Sequence, residues 1–153
     1  MKLDFGSGHN PKRGYKSCDI TSNPYLDFYC DPDSYCIKHN FYTNHLNIEK
    51  DVKFEEIHVR NVIHHIKNLK KLFKEFKRKL TKNGILTIID CNEECYKQNL
   101  NLDILWYRYL IPRYNIWICK EYRNIEPILE SLGFKLISKK VKDEKTTYKW
   151  VLL

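Results

Sequence analysis

The 153-residue sequence contains no apolar run that approaches the ~20 residues needed to cross a lipid bilayer. Its amino terminus carries charged residues and glycines where a signal peptide needs an unbroken apolar stretch, so we predict a cytoplasmic protein without membrane contact. The composition, 42% hydrophobic and 30% charged, is that of a globular chain rather than a disordered one. The length favours a single domain that spans residues 1–153.

Cysteine pairs of the kind that bind zinc are also lacking. None of the six cysteines forms a C-x-x-C pair, and Cys91 and Cys95, with three residues between them, are a weak signal. We therefore expect no metal ion, and we expect six reduced, mostly buried thiols.

Acidic residues are outnumbered, with 19 Asp and Glu against 27 Lys and Arg, and the formal net charge is +8. Clustered cations favour nucleic acid as a partner, because binding to phosphates releases counterions. Much of the charge, however, falls on one face of a predicted helix within residues 67–82, where a solvated surface is the simpler interpretation. RNA is therefore an alternative partner rather than the expected one.

Glycine is scarce, with 5 in the chain, yet two of them form the turn of "LDFGSG" directly after the first apolar segment. A dinucleotide site needs a third glycine and a following helix whose N–H groups hold the pyrophosphate. Here Asn10 stands in place of the third glycine, and the next strand begins by about Tyr15, which leaves no room for a full helix. The G-K-[ST] run of a P-loop is absent. A ligand with an adenosine ribose but no phosphate, such as S-adenosylmethionine, suits this turn, with Asp19 available for the ribose hydroxyls.

The remaining pattern alternates strands with helices and ends in two strands. It predicts an α/β fold with an open, mostly parallel sheet whose last strand is antiparallel. One helix is expected from Asn68 to a stop at Gly84, and a second from its cap Asn124 to Gly133. The predicted strands cover residues 2–5, 15–20, 25–30, 55–63, 85–90, 134–141 and 148–153, with no element predicted over residues 34–53.

Five segments, in this order and spacing, resemble class I, Rossmann-like S-adenosylmethionine-dependent methyltransferases over essentially the whole chain. They are "LDFGSG", "CDI", "CDP", "HVRNVIHHI" and "LFKEFKRKLTKNGILTII". The resemblance implies a single-domain methyltransferase sheet whose first helix is shortened or missing, because "HNPKRG" stands in its place. It also implies S-adenosylmethionine as the cofactor and S-adenosylhomocysteine as its product.

The same resemblance assigns the glycine motif to the methionine part of the cofactor. Asp4, Gly6, Ser7 and Gly8 would surround that part and the sulfonium. Asp4 would accept a hydrogen bond from the amino group, directly or through water.

The other cofactor contacts that the resemblance implies follow the next three strands. Asp19 would bind the ribose hydroxyls, Ile20 would pack on the adenine, and Asp31 would reach the adenine amino group. Arg60 and Asn61 would line the floor beneath the transferred methyl group.

A general base helps methyl transfer only where the acceptor has a proton to lose. His64 and His65, just beyond the fourth strand, are the candidate catalytic residues, and His9 in the glycine loop is a further one. Packing or capping is the more common role of such a histidine pair. A metal site that adds His58 is not expected, because strand-to-helix geometry would scatter these ligands.

Residues 91–123 form the one sizeable addition to the core, rich in aromatic residues and arginines. The segment should lie beside the transferred methyl group, where it forms an acceptor pocket, covers the sheet or stacks single-stranded nucleic acid. We expect a small-molecule or sugar-type acceptor. The alternatives are an RNA methyltransferase and a non-catalytic cofactor-binding module that needs a partner chain. Exposed Trp106 and Trp117 would also suit a homodimer interface.

Overall fold

The computed structural model of the chain describes residues 1–8, 10–20, 25–40, 51–98, 119 and 121–153. Within these ranges, eight strands form one sheet. The strands are β1 (Lys2–Phe5), β2 (Lys16–Asp19), β3 (Phe28–Cys30), β4 (Ile37–His39), β5 (Phe54–Arg60), β6 (Leu80–Cys91), β7 (Phe134–Lys142) and β8 (Lys145–Leu152). The helices are α1 (Leu69–Lys79), α2 (Glu93–Gln98) and α3 (Glu126–Ser131), and a 3₁₀ turn covers Ile63–His65. None of the helices in these ranges has the length and apolar character of a membrane span.

The strand order β4-β3-β2-β1-β5-β6-β8-β7 puts the first strand in the middle of the sheet. β1 pairs in parallel with β2 on one side and β5 on the other, and β3 and β6 extend the parallel part outward. β8 is antiparallel to both β6 and β7. The predicted fold class, a mostly parallel α/β sheet with an antiparallel carboxyl-terminal hairpin, is confirmed. Because the strand order reverses between β1 and β5, the carboxyl ends of these strands are where such sheets bind ligands.

Helix α1 packs on the sheet, and its buried side chains form part of the hydrophobic core. The helix begins where predicted, and Asn68 caps it, because its side-chain oxygen accepts from Lys71 N at 3.0 Å. Leu72 and Phe76 are fully buried on the inner face. Phe76 meets Phe5 of β1 edge to face, with ring centroids 5.0 Å apart. Each such fully buried side chain contributes roughly 1.5–3 kcal/mol, so α1 anchors the central strand.

The end of α1 differs from the prediction. Lys79 is the last helical residue, and Leu80 is extended (φ −79°, ψ 147°) and pairs with Phe54 of β5. The expected helix stop at Gly84 is therefore wrong. Gly84 lies inside β6, where a Cβ would come within 2.8 Å of Thr81 O. Pairing with β5 thus overrides the local helical pattern.

The second predicted helix is α3. The predicted cap, Asn124, is one residue early, because the N-cap is Ile125, which makes no side-chain capping bond. The Asn124 side chain still accepts from Glu126 N at 3.1 Å. Pro127 lies in the first turn, where its missing N–H has no helical partner to lose. Gly133 follows with φ +89°, a conformation that favours glycine at the end of a helix.

Strand β4 lies in a stretch where no element was predicted. It pairs antiparallel with β3, from Phe28 opposite His39 to Cys30 opposite Ile37. The Ile37 N–H donates to the Glu75 carboxylate of α1 at 2.8 Å. The strand therefore depends on contacts that are distant in sequence rather than on a periodic pattern of its own.

One cysteine pair also differs from expectation. Cys91, the last residue of β6, and Cys95, in α2, are joined by a disulfide with Cα atoms 5.3 Å apart. The expectation of six reduced thiols is wrong for these two. The remaining cysteines are free thiols: Cys18, Cys30, Cys36 and Cys119.

Candidate active site

The glycine loop between β1 and β2 packs tightly on the chain that follows β5. Gly6 N and Ser7 N both donate to Cys18 O, at 2.9 and 3.2 Å. Gly6 has φ +75°, and a Cβ on it would lie 2.9 Å from the Val62 Cβ and 3.2 Å from Arg60 O. Both the backbone conformation and the contact therefore require glycine at this position.

Gly8 differs from Gly6 in its contacts. Its N–H donates to Asp19 Oδ2 at 2.9 Å, so the loop and the acid at the end of β2 are in direct contact. A Cβ on Gly8 would meet no other atom of the described chain within 4 Å. Asp19 itself is largely buried, with 9% of its surface exposed. The two residues that the motif predicted to share a ligand thus lie side by side beneath open space.

Asp4 lies under the loop with none of its surface exposed. Its Oδ1 is 3.1 Å from His58 Nδ1, and its Oδ2 accepts from Arg60 Nη2 at 2.8 Å and from Lys12 N at 2.7 Å. Burial alone would raise the pKa of this carboxyl, but the hydrogen bonds from His58, Arg60 and Lys12 outweigh burial and hold the pKa below its ordinary value. Asp4 is therefore an ionised anchor that ties the loop to β5.

The residues after β2 and β3 lie at the same edge of the sheet. Ile20 is partly buried and packs against the core. The Oδ1 of Asp31 accepts from Ser34 N at 2.7 Å and from Asp33 N at 2.9 Å. These two hydrogen bonds lower the pKa of the Asp31 carboxyl. Asp31 is thus ionised and held within its own turn.

Arg60 and Asn61, at the end of β5, point to different neighbours. Arg60 Nη2 donates to Asn10 O at 3.0 Å as well as to the buried acid beneath the loop. Asn61 has φ 50°, its N–H donates to Ile89 O at 2.9 Å, and its Oδ1 accepts from Lys145 Nζ at 2.7 Å. Arg60 therefore braces the glycine loop, while Asn61 is held between β6 and β8.

Asp90, near the end of β6, holds the segment that follows β5. Its Oδ2 accepts from Val62 N at 3.0 Å and Ile63 N at 2.7 Å. Its Oδ1 accepts from Cys91 N at 2.8 Å and lies 2.8 Å from His64 Nδ1. Asp90 is largely buried, and all four of these contacts are made within the chain. This one carboxylate therefore fixes the turn that faces the glycine loop.

Arg123 braces the same turn through its carbonyl oxygens. Its Nη2 donates to Ile63 O and its Nη1 to Ile66 O, both at 2.7 Å. Neither Asp90 nor Arg123 was among the predicted site residues. The available signal was an acid at the carboxyl end of a continuous apolar strand, "ILTIID", which marks the ligand edge of a parallel sheet.

The candidate catalytic histidines are buried at this turn. His64 and His65 expose 4% and 8% of their surface, and their ring centroids are 4.1 Å apart. The Asp90 contact fixes the orientation of the His64 ring. His9, the third candidate, lies outside the described residues.

Only part of the aromatic addition is described, namely residues 91–98, 119 and 121–123. Tyr96, Tyr122 and Tyr148 line a cavity of about 20 Å³, room for one water molecule, beside Asp90. The Tyr122 and Tyr148 hydroxyls are 3.3 Å apart, and burial raises the pKa of both Tyr96 and Tyr148. Tyr96 and Tyr148 therefore remain protonated and keep their hydroxyl groups as hydrogen-bond donors. The predicted Trp106 and Trp117 surface lies outside the described residues.

A larger, open cavity of about 590 Å³ lies between the turn after β3 and the start of α1. Lys67, Lys70 and Lys71 line it, and Lys71 Nζ donates to Asp33 O at 2.8 Å. Its lining contains four basic side chains, with Arg123 as the fourth, and one acidic side chain, Asp33.

The sequence profile of a family described as a methyltransferase domain matches residues 3–139. No curated protein matches the chain in sequence.

Solved structures share the fold at low identity. An S-adenosylmethionine-dependent methyltransferase from Mesorhizobium loti aligns with 99% of this chain and 90% of its own, at a TM-score of 0.64 and 10% identity. An S-adenosylmethionine-dependent methyltransferase from Clostridium acetobutylicum ATCC 824 aligns with 99% of this chain and 83% of its own, at a TM-score of 0.57 and 15% sequence identity. A complex of the Haloferax volcanii Trm112 methyltransferase activator with a methyltransferase also matches. The alignment covers 99% of this chain and 81% of the matched chain, at a TM-score of 0.56 and 8% sequence identity. The chain spans 57%, 39% and 65% of three other matched structures.

Proposed function

The chain belongs to the family whose model is described as a methyltransferase domain, and we propose that it is an S-adenosylmethionine-dependent enzyme that methylates a small-molecule or sugar-type acceptor. The observation that carries the proposal is the 2.9 Å contact between Gly8 N and Asp19 Oδ2. It sets an open glycine turn beside a carboxylate at the carboxyl ends of β1 and β2, next to the point where the strand order reverses.

The residues at this edge fit the cofactor in shape and chemistry. Space above Gly8 lets a ligand approach the backbone closely, because glycine has no Cβ and no other described residue lies within 4 Å of where one would be. The Asp19 carboxylate suits a pair of ribose hydroxyls, which donate hydrogen bonds to it. When bound, S-adenosylmethionine supplies a methyl group on a positively charged sulfur, a good leaving group.

The remaining contacts of the methionine part fall to the loop. In this proposal Gly6, Ser7 and Gly8 surround it with backbone groups, and Asp4 acts on the amino group through water. Both Asp4 oxygens already accept bonds within the chain, which favours the indirect contact. Arg60, paired with Asp4, keeps the loop in place.

The adenine end and the floor of the site complete the cofactor proposal. Ile20 packs on the adenine and Asp31 accepts from its amino group, since both follow neighbouring strands at the ligand edge. Arg60 and Asn61 form the floor beneath the methyl group. The positive φ of Asn61 turns the chain at that point.

We assign the role of general base to the histidines after β5, with His64 ahead of His65. A His64 Nδ1–H donated to Asp90 leaves the lone pair of the neutral ring on Nε2, and Asp90 stabilises the ring once it has gained a proton.

Calorimetric titration with S-adenosylmethionine, S-adenosylhomocysteine and NAD tests the cofactor site. We expect binding of the first two but not of NAD, and loss of that binding in Asp19→Ala. Glu130→Ala, which removes an exposed carboxylate from α3, is the matched control and should bind normally. No binding to the unmodified chain, or equal binding in Asp19→Ala, would contradict the site. Product masses from an acceptor screen then test the acceptor class.

An RNA acceptor is the second candidate, and the basic cavity at the start of α1 favours it. Lys67, Lys70 and Lys71 line an open cavity of about 590 Å³, and clustered cations favour binding to phosphates. RNA binding that falls steeply with salt and weakens in Lys70→Ala would support this candidate over the small-molecule one.

A partner-dependent or non-catalytic module is the third candidate. It is supported by the neighbour from Haloferax volcanii, whose structure contains a methyltransferase activator. Cofactor binding by the purified chain without turnover on any screened acceptor would favour this candidate.

A further inference from the structure

A disulfide joins the end of β6 to the short helix α2. Cys91 is the last residue of β6, and its bonding partner Cys95 lies four positions later in the chain. The Cys91 sulfur is within 4.8 Å of a ring nitrogen of His64 and a carboxylate oxygen of Asp90. The disulfide is therefore next to the turn that holds the candidate catalytic histidines, whereas β5 separates β6 from β1 and its glycine loop.

Helix α2 is short and largely exposed. It covers six residues, Glu93–Gln98, and an isolated helix of fewer than about 12 residues is marginal in water. Of residues 93–97, only Cys95 is buried. The Cys95 N–H donates to the Asn92 side-chain oxygen at 3.1 Å, a contact within the first turn. Segments with so few buried side chains open at low free energy. The disulfide thus adds a covalent tether to a helix whose own packing is slight.

One side chain of α2 connects the helix to the acceptor side of the proposed active site. The Tyr96 hydroxyl oxygen lies 2.9 Å from the Cys119 sulfur, and Cys119 N donates to His64 O at 2.9 Å. The Tyr96 ring also meets the Tyr122 ring edge to face, with centroids 6.0 Å apart. Tyr96 is one wall of the small cavity beside Asp90. A movement of α2 therefore removes that wall.

The two bonded cysteines differ in their access to solvent. Cys91 is partly exposed, while Cys95 exposes 7% of its surface. Thiol–disulfide exchange needs access to the sulfur that is attacked, so a reductant reaches the pair from the Cys91 side. The ring closed by this bond is also short, and short rings gain the least stability from a cross-link. Reduction should therefore act locally and leave the fold intact.

We propose that the Cys91–Cys95 disulfide is a redox-controlled latch, which holds α2 over the cavity beside Asp90 when it is oxidised and releases α2 when it is reduced. A dithiol is the reductant. One of its sulfurs attacks the Cys91 sulfur, and Cys95 leaves as a thiolate that takes up a proton. The second sulfur of the dithiol then displaces Cys91, which also takes up a proton, and the reductant departs as a disulfide. The two protons gained by the cysteines balance the two lost by the dithiol.

Release follows from the space that the two thiols need. Nonbonded heavy atoms make their best contact at about 3.5–4.0 Å, so the two sulfurs separate once the bond is broken. The released helix uncovers Cys119 and the cavity beside Asp90. Because that cavity lies on the acceptor side, the latch controls access of the acceptor. This last consequence rests on the proposed function, whereas the movement of α2 does not.

Hydrogen exchange measured by mass spectrometry tests the movement. The oxidised chain is compared with the chain reduced by dithiothreitol. We expect the amides of residues 95–98 to exchange about 10–100-fold faster in the reduced chain, because loss of a short cross-link favours local opening by that order. The amides of β1, two strands away from β6, should exchange equally in both states.

Alkylation of Cys119 measures the uncovering of the cavity. Dithiothreitol is removed by gel filtration under argon, iodoacetamide is added, and the modified cysteines are located by peptide mass mapping. Cys119 exposes 4% of its surface and should react about 10–100-fold faster in the reduced chain. Cys18 is the internal control, because it lies in β2 with none of its surface exposed and should stay unreactive in both states.

Variants separate the latch from other effects of the reductant. Cys91→Ser cannot form the bond, so it should show fast exchange in α2 and fast alkylation of Cys119 without any reductant. Cys36→Ser is the matched control and should behave as the unmodified chain in both states, because Cys36 is a free cysteine. Circular dichroism checks that each variant is folded. Should Cys91→Ser unfold, the two redox states of the unmodified chain decide.

Equal exchange in α2 and equal alkylation of Cys119 in the two redox states would overturn the latch. Cys91 and Cys95 that remain free thiols after treatment with oxidised glutathione would overturn it as well. Alkylation of Cys18 together with Cys119 would also count against it, because that result reports loss of the fold rather than release of α2.

Calorimetry with S-adenosylmethionine separates the latch from the proposed function. We expect equal binding in both redox states, because the glycine loop and the disulfide lie at different strands. Loss of binding on reduction would contradict a latch confined to the acceptor side. No binding in either state would refute the proposed cofactor site and not the latch, which the exchange and alkylation rates decide.

Discussion

Replacing Asp90 with asparagine keeps the shape of the side chain but removes its charge and one acceptor oxygen. The carboxylate accepts from Val62 N and Ile63 N on one oxygen, and contacts Cys91 N and His64 Nδ1 with the other. The NH₂ group of the amide faces either the N–H groups of Val62 and Ile63, or the Cys91 N–H and the His64 ring, so at least one N–H group loses its acceptor. A buried donor without its acceptor costs about 1–3 kcal/mol, so we expect Asp90→Asn to lower the free energy of unfolding by at least that amount.

Urea unfolding followed by far-ultraviolet circular dichroism measures this loss. The slope with denaturant should be unchanged, because the change affects stability rather than the surface exposed on unfolding. Glu55→Gln is the control. Its side chain is 68% exposed and pairs with the terminal amine, so its loss should stay below about 1 kcal/mol. A loss for Asp90→Asn no larger than that of the control would refute the bracing role of Asp90.

Three further changes test the loop, the buried acid and β4. Gly6→Ala should lower the melting temperature and weaken cofactor binding. It forces a Cβ to 2.9 Å from Val62 at φ +75°, a combined cost of roughly 2–5 kcal/mol. Asp4 has a lowered pKa in the fold, so it stabilises the fold above its ordinary pKa of 3.8 and loses that contribution as pH falls below it. The unfolding free energy of Asp4→Asn should therefore change less on acidification than that of the unmodified chain. Glu75→Ala leaves Ile37 N without its acceptor, and urea unfolding should show a loss of about 1–3 kcal/mol.

Each of these predictions has a contrary outcome. An unchanged melting temperature in Gly6→Ala would mean that the loop relaxes away from the turn after β5. Parallel acid profiles for Asp4→Asn and the unmodified chain would mean that the carboxylate gains nothing from its partners. Full stability in Glu75→Ala would mean that β4 holds without α1.

The fold was predictable where the pattern is local. β1, β5 and the apolar stripe of α1 follow from hydrophobic periodicity and from the cap at Asn68. The end of α1 was not predictable from the sequence. The helical pattern continues past Lys79, and only the pairing of Leu80 with Phe54 of β5 interrupts the helix. β4 was missed for the same reason, since Ile37 is held by a strand partner and by α1.

The site divides in the same way. Gly8 and Asp19 lie in one short motif, and their contact follows from the spacing of the first two strands. Asp90 accepts a hydrogen bond from Val62, which precedes it by 28 residues and follows the neighbouring parallel strand. No local sequence pattern predicts a contact over that distance. The neighbourhood of His64 and Cys91 is equally invisible in sequence, because it arises only where β5 and β6 end side by side.

The central position of β1 also sets the order in which the molecule is assembled. β1 can pair early with β2, because β2 follows it closely in the sequence. The other edge of β1 pairs with β5, for example Leu3 with Ile57, and these residues are far apart in the sequence. Such non-local pairing is slow relative to local contacts, because a long loop must close first. Val62, which contacts Gly6, follows β5 directly and is placed when β5 pairs with β1. We therefore expect the proposed cofactor site to form late in folding, because a chain in which β5 has not yet paired has the glycine motif but lacks the contact of Val62 with Gly6.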